Sequence, residues 1–144
     1  MIQIELYNES GLDVPVSLER FEELASLVAK GEIKTFDWIE VVYVDEQGIT
    51  EVNSKFLDKN YVTDVITFSY ADDSIDNNEV GVEGTIYMCN QRIREQAVEF
   101  ESDLIQEFER IFVHGLLHLC GHDDVTPELK LKMTELENSY LSNN

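Results

Sequence analysis

All three histidines of the chain fall in one run, VHGLLHLCGHDD, from Val113 to Asp124. His114 and His118 stand four apart. At about 3.6 residues per turn, that spacing brings both rings to one face of a helix. Paired imidazoles at this spacing are an arrangement that holds zinc. Gly121 then ends the helix and lets the chain reverse, so a residue three places later can fold back onto the metal. That residue is Asp124. The expected site is one Zn(2+) per chain on His114, His118 and Asp124. Three protein ligands leave a fourth position for water, which separates a catalytic zinc site from a closed structural one.

The plain alternative is a helix end whose histidines cap carbonyls, followed by an ordinary Asp-Asp turn. His122 competes for the third ligand position. Asp124 is favoured by its distance from Gly121, and His122, directly after the turn, lines the site. Cys120 lies two residues from His118, about 200° around an ideal helix, and reads as core. The position after the first histidine is Gly115. In HExxH peptidases that position holds the glutamate base. Peptide hydrolysis by that route has no proton acceptor here, so the metal must do other chemistry.

The elements that position these residues can be read from periodicity. Residues 2–8 alternate apolar and polar and predict a strand. SLERFEELASLVAKG predicts a helix that stops at Gly31. WIEVVYV (38–44) is a β-branched and aromatic strand. Asp45 caps a helix from Glu46 to Leu57, with Ile49, Val52, Asn53 and Phe56 on one face. DVITFSY (64–70) and GTIYMC (84–89) are strands, joined by an acidic, glycine-containing hairpin connection or loop over 71–84. Helical patterns cover 90–100 and 102–119. Thr126 and Pro127 start a last helix that runs to Leu141. The expected fold is α+β, a mixed α/β single domain over residues 1–144. A small, mostly parallel mixed sheet is flanked by helices, with the metal site at the end of a long helix.

Composition narrows the setting. The chain has 144 residues, is 43% hydrophobic and carries a formal charge of -20. It has no run long and apolar enough for a membrane span and no signal-peptide pattern. Cys89 and Cys120 form no framework, which suits a reduced, cytoplasmic compartment. The charge opposes contact with bulk nucleic acid, because phosphate contacts need Lys and Arg. Arg92 and Arg94 are the densest basic pair.

The run HGLLHLCGHDD resembles the signature of the YbeY family, H-G-x-L-H-L-x-G-Y-D-H. VNSKFLDKNYVTDVITFSY, EGTIYMCNQRIREQA and ELKLKMTELE resemble three further family segments, the last its M-x-x-x-E helix, in the family's order from about Val41 onward. The resemblance implies a metal-dependent, single-strand-preferring endoribonuclease. Such an enzyme acts on ribosomal RNA, notably the 3′ end of the small-subunit RNA, and in ribosome quality control. It implies His114 and His118 as metal ligands. The family's third histidine falls on Asp124, its tyrosine on His122, and its phosphate-meeting arginine on Leu57. A carboxylate is an accepted zinc ligand, whereas leucine offers nothing to a phosphate. Lys55, Lys59 or Arg92 are the substitutes.

Within that reading, His122 is the candidate general base, as a spare imidazole beside the ligands. Asp64, with Thr63, either caps a strand entry or orients a ligand histidine. Arg92 is the candidate contact to the RNA backbone. Phe56 and Met133 read as packing, Asn53 as a buried anchor or substrate contact, and Glu137 as a surface carboxylate. The expected partners are single-stranded or ribosomal RNA and the ribosome or a basic ribosomal protein. The alternatives are a non-catalytic, metal-containing ribosome assembly factor and a metallohydrolase of another substrate.

Overall fold

The computed structural model describes residues 2–57, 63–70 and 81–142. The elements run β1 (Gln3–Asn8), α1 (Leu18–Glu32), β2 (Phe36–Val44), α2 (Glu46–Leu57), β3 (Val65–Ser69), β4 (Val82–Cys89), α3 (Asn90–Glu99), α4 (Leu104–Leu119) and α5 (Pro127–Ser142). The sheet order is β1-β2-β4-β3. β1, β2 and β4 are parallel, and β3 is an antiparallel edge strand on β4. A parallel pair needs a crossover, and α1 supplies it between β1 and β2. The expected mixed, mostly parallel sheet is observed. Among the described residues, no helix is long and apolar enough to cross a membrane.

The central strand β2 is buried on both faces, as strands covered on both sides are. Ile39, Val41 and Tyr43 point into the main core, with Phe21 and Leu24 of α1 and Phe108, Phe112 and Leu116 of α4. Val42 and Val44 join a smaller cluster with Ile49 of α2 and Ile66 of β3. α4 packs against α1, α3, α5, β3 and β4. Its stripe from Phe108 to Leu116 is almost fully buried. Each such side chain contributes roughly 1.5–3 kcal/mol, so the helix that carries His114 and His118 is among the most firmly seated. It lies directly on the sheet: a Cβ at Gly115 would meet Ile86 Cγ2 at 3.0 Å.

Several boundaries differ by a residue or two from the sequence reading, and two of them have a visible cause. β4 begins at Val82, two residues before the expected start, because it pairs with β2 from Phe36 onward. α1 runs past Gly31 to Glu32, and its left-handed cap is Ile33, with φ 54°. Gly31 serves close approach instead of termination, since a Cβ there would collide with the phenol of Tyr140 on α5.

Candidate metal centre

α4 starts on the Asp103 side chain, which accepts from Gln106 N. It delivers His114 and His118 on its last turns. The chain then reverses at Gly121, whose φ of 103° lies in the left-handed region that favours glycine. This returns Asp124 to the helix. His114 Nε2 and His118 Nε2 are 2.9 Å apart. Asp124 Oδ2 lies 3.5 Å from His114 Nε2, and Oδ1 lies 3.7 Å from His118 Nε2. His114, His118 and Asp124 thus offer donor atoms that lie within 4.8 Å of one another.

The other ring nitrogens fix the tautomers. His114 Nδ1 is 2.7 Å from Glu137 Oε2, and His118 Nδ1 is 3.0 Å from the carbonyl of His122. Both acceptors take a proton from Nδ1, so in the neutral rings both Nε2 lone pairs face each other and the Asp124 carboxylate. Lone pairs and an anion at such range repel, and a cation between them removes the repulsion. A tetrahedral zinc ion with bonds of about 2.0–2.1 Å sets its donors roughly 3.3–3.4 Å apart. The observed separations bracket that value, so the donor set fits. Burial and the neighbouring His114 push the His118 pKa down, which keeps its lone pair available. Burial also works against a charged His114. There it is outweighed by the hydrogen bond and charge of Glu137, with Asp124 and Asp64, and the pKa rises.

Glu137 is the residue that sequence reasoning missed. It is 6% exposed, not a surface carboxylate. Its second oxygen accepts from Arg110 Nη1 at 3.0 Å, and Arg110 Nη2 also reaches Asn138. The signal was present in α5, where Met133, Glu137 and Tyr140 recur at helical spacing and are its buried residues.

The donors open into a cavity of about 330 Å³. Asn53, Leu57, Asp64 and Thr67 are among its walls. Asn53 is 2% exposed. Asp64 lines the cavity, and its carbonyl accepts from Cys89 N at 2.9 Å, anchoring the strand entry; the Nδ1 atoms of both ligand histidines are held by Glu137 and the His122 carbonyl instead of by Asp64. Among the described residues that line the cavity, none is Lys or Arg. Lys55 lies over the Phe56 ring, and Lys59 lies outside the described residues. Phe56 is half exposed but meets Phe68 edge-on, with ring centres 5.3 Å apart.

Two expected catalytic residues stand elsewhere. The His122 ring does not line the cavity; its Nε2 lies 2.5 Å from Glu32 Oε1 on α1. The turn at Gly121 sends this side chain outward and leaves only its carbonyl at the site. Arg92 is held on α3 by Glu99 at 3.1 Å and Glu95 at 3.7 Å and is not among the residues that line the cavity. Arg94 is committed to Asn90 and to the carbonyl of Asp13. Cys120 packs against the core as expected, and burial together with Glu32 pushes its thiol pKa up to about 12.

Comparison with known proteins gives a consistent result. A family model described as Endoribonuclease YbeY matches residues 7–144. Curated proteins named Endoribonuclease YbeY are similar to the chain. One from Ureaplasma urealyticum serovar 10 is 36% identical over 128 residues, covering 88% of this chain and 81% of the relative. One from Chlorobium luteolum is 36% identical over 114 residues, covering 79% of each. The solution structure of TM1509 from Thermotoga maritima superposes with a TM-score of 0.63 at 27% identity, covering 99% of this chain and 91% of that one.

Proposed function

The chain belongs to the YbeY endoribonuclease family, and on that premise we propose that it cuts RNA with one zinc ion held by His114, His118 and Asp124. The proposed substrate is single-stranded ribosomal RNA, notably at the 3′ end of the small-subunit RNA, with a role in ribosome quality control in the cytoplasm. The observation that carries the metal is the convergence of two Nε2 lone pairs and a carboxylate on one point, with each Nδ1 tied back by a separate acceptor.

Zinc at such a site supplies Lewis acidity towards a phosphoryl oxygen and lowers the pKa of water towards ~7. The protein's own groups do the rest. Glu137 and the His122 carbonyl keep protons on the two Nδ1 atoms and hold the rings in place. Asp64 stands on the cavity wall and adds negative charge that acts on His114. With the His122 ring on Glu32, we take Asp64, on the cavity wall, as the candidate to accept a proton from the attacking hydroxyl. Asn53 and Thr67 offer neutral polar contacts to the strand.

The described wall contributes no cation for the phosphate, and the chain carries -20. Free RNA should bind weakly, and more weakly as salt rises. The reading therefore includes a partner that presents the RNA, most simply a basic ribosomal protein. The same observation favours a second reading, a metal-containing assembly factor that docks without cutting. Cleavage of a ribosome-associated precursor, measured before and after chelation, separates them. Metal-dependent cleavage supports the nuclease; tight docking with no cleavage supports the factor.

A further inference from the structure

The His122 ring is absent from the cavity, and what it does instead is specific. Its backbone carbonyl accepts the Nδ1 proton of His118 at 3.0 Å, and its own ring donates to Glu32 Oε1. The other oxygen of Glu32 accepts from Tyr140 Oη at 2.7 Å. Both oxygens of a carboxylate that is only 13% exposed are thus engaged. Glu32 is also the last residue of α1. A carboxylate is disfavoured there, because the C-terminal end of a helix is the negative end of its dipole. Helix stability gives no reason for an acid at this point. The bare approach of Gly31 to the Tyr140 phenol, with no Cβ between them, is what lets Tyr140 reach it.

The segment that Glu32 secures is short. It runs from Gly121, at φ 103°, through His122 to Asp124. One end carries the carbonyl that sets the His118 tautomer, and the other carries the third metal donor. The turn's own backbone bonds run back to α4, from Gly121 N to His118 O and from His122 N to Leu117 O, each at 3.0 Å, and Val125 N is 3.4 Å from Asp123 Oδ1. The side-chain tie to Glu32 joins it to α1, an element other than the α4 that it follows.

We infer that Glu32 is a positioning residue of the metal centre, acting through His122 to hold both the carbonyl that orients His118 and the turn that presents Asp124. Tyr140 orients Glu32 in turn. The inference rests on the zinc site proposed above.

The test is Co(II) and Zn(II) affinity of the full chain, by chelator competition, together with the visible ligand-field spectrum of the Co(II) form. Outer-shell partners of a metal ligand typically change affinity by roughly 10–100-fold. Glu32→Gln should weaken Co(II) binding by about ten-fold, at the lower end of that range, and alter the spectrum. The melting temperature of the metal-free protein should change little. His122→Phe keeps an aromatic ring but loses the donor, and it should behave in the same way. His122→Gln keeps an N–H near the same place and should restore affinity. Should Glu32→Gln fail to fold, the His122 pair still decides the matter. Equal affinity and equal spectra across the unsubstituted chain, Glu32→Gln and His122→Phe would overturn the inference and leave the zinc site standing. Failure of the unsubstituted chain to take up either metal would overturn both.

Discussion

Glu137 Oε2 accepts a 2.7 Å hydrogen bond from His114 Nδ1 across 23 residues of sequence, so the last helix supports the first of the two proposed ligand histidines directly. Arg110 holds the opposite oxygen of the same carboxylate. Glu137→Gln keeps the size and removes the anionic acceptor. It should weaken zinc binding by roughly 10–100-fold, read by competition with a chromogenic chelator. Unchanged affinity would reduce Glu137 to an ion-pair partner of Arg110.

Asp124 is the proposed third donor, at the position where the family signature that the run resembles has histidine. Asp124→His should retain the metal, because imidazole and carboxylate are both accepted zinc ligands. Asp124→Ala leaves two protein ligands and should lose it on dialysis. Elemental analysis of the two variants checks this, and a zinc-replete Asp124→Ala would remove Asp124 from the site.

Leu57 lines the cavity, at the position to which the family resemblance assigns a phosphate-meeting arginine. Leu57→Arg adds a charge-assisted hydrogen bond, about 1.5–3 kcal/mol, which corresponds to about 10–100-fold. Cleavage of free single-stranded RNA, as kcat/KM, should rise within that range with metal content unchanged. A rate equal to that of the unsubstituted chain would show that the phosphate does not pass Leu57.

Gly31→Ala places a Cβ against the Tyr140 phenol. Overpacking of this kind costs about 1–3 kcal/mol, and the displaced Tyr140 releases Glu32. Thermal unfolding should show a lower Tm for Gly31→Ala, whereas Gly11→Ala, with nothing near its added Cβ, carries only the cost of its positive φ of 78°. A Gly31→Ala chain as stable as the unsubstituted one would mean that α5 shifts freely.

Much of the architecture was legible in the sequence. Strand and helix periodicity placed every described element to within a few residues, and i, i+4 spacing with a glycine stop placed His114, His118 and Asp124 together. What failed did so for a physical reason. The direction of the His122 side chain depends on the φ of Gly121 and on Glu32, which is 90 residues away, and no local pattern encodes that pairing. The pairing of Arg92 with Glu95 and Glu99, three and seven residues on and on the same helix face, was legible in the spacing but was outweighed by the density of the basic pair. Glu137 looked like surface because a lone carboxylate in a charged helix ordinarily is. Its burial follows from the packing of α5 on α4, with Arg110 and His114 there to meet it. Gly31 looked like a stop, and its use became visible only with Tyr140 against it.

The most direct test of the central claim pairs metal content with cleavage in one preparation. Protein purified without added metal should contain one zinc-like transition metal ion per chain and should cut single-stranded ribosomal RNA precursor. Chelation should abolish the cutting, Zn(II) should restore it, and His118→Ala should lose metal and cleavage together. A chelated, metal-free protein, or His118→Ala, that cleaves at the original rate would contradict the account.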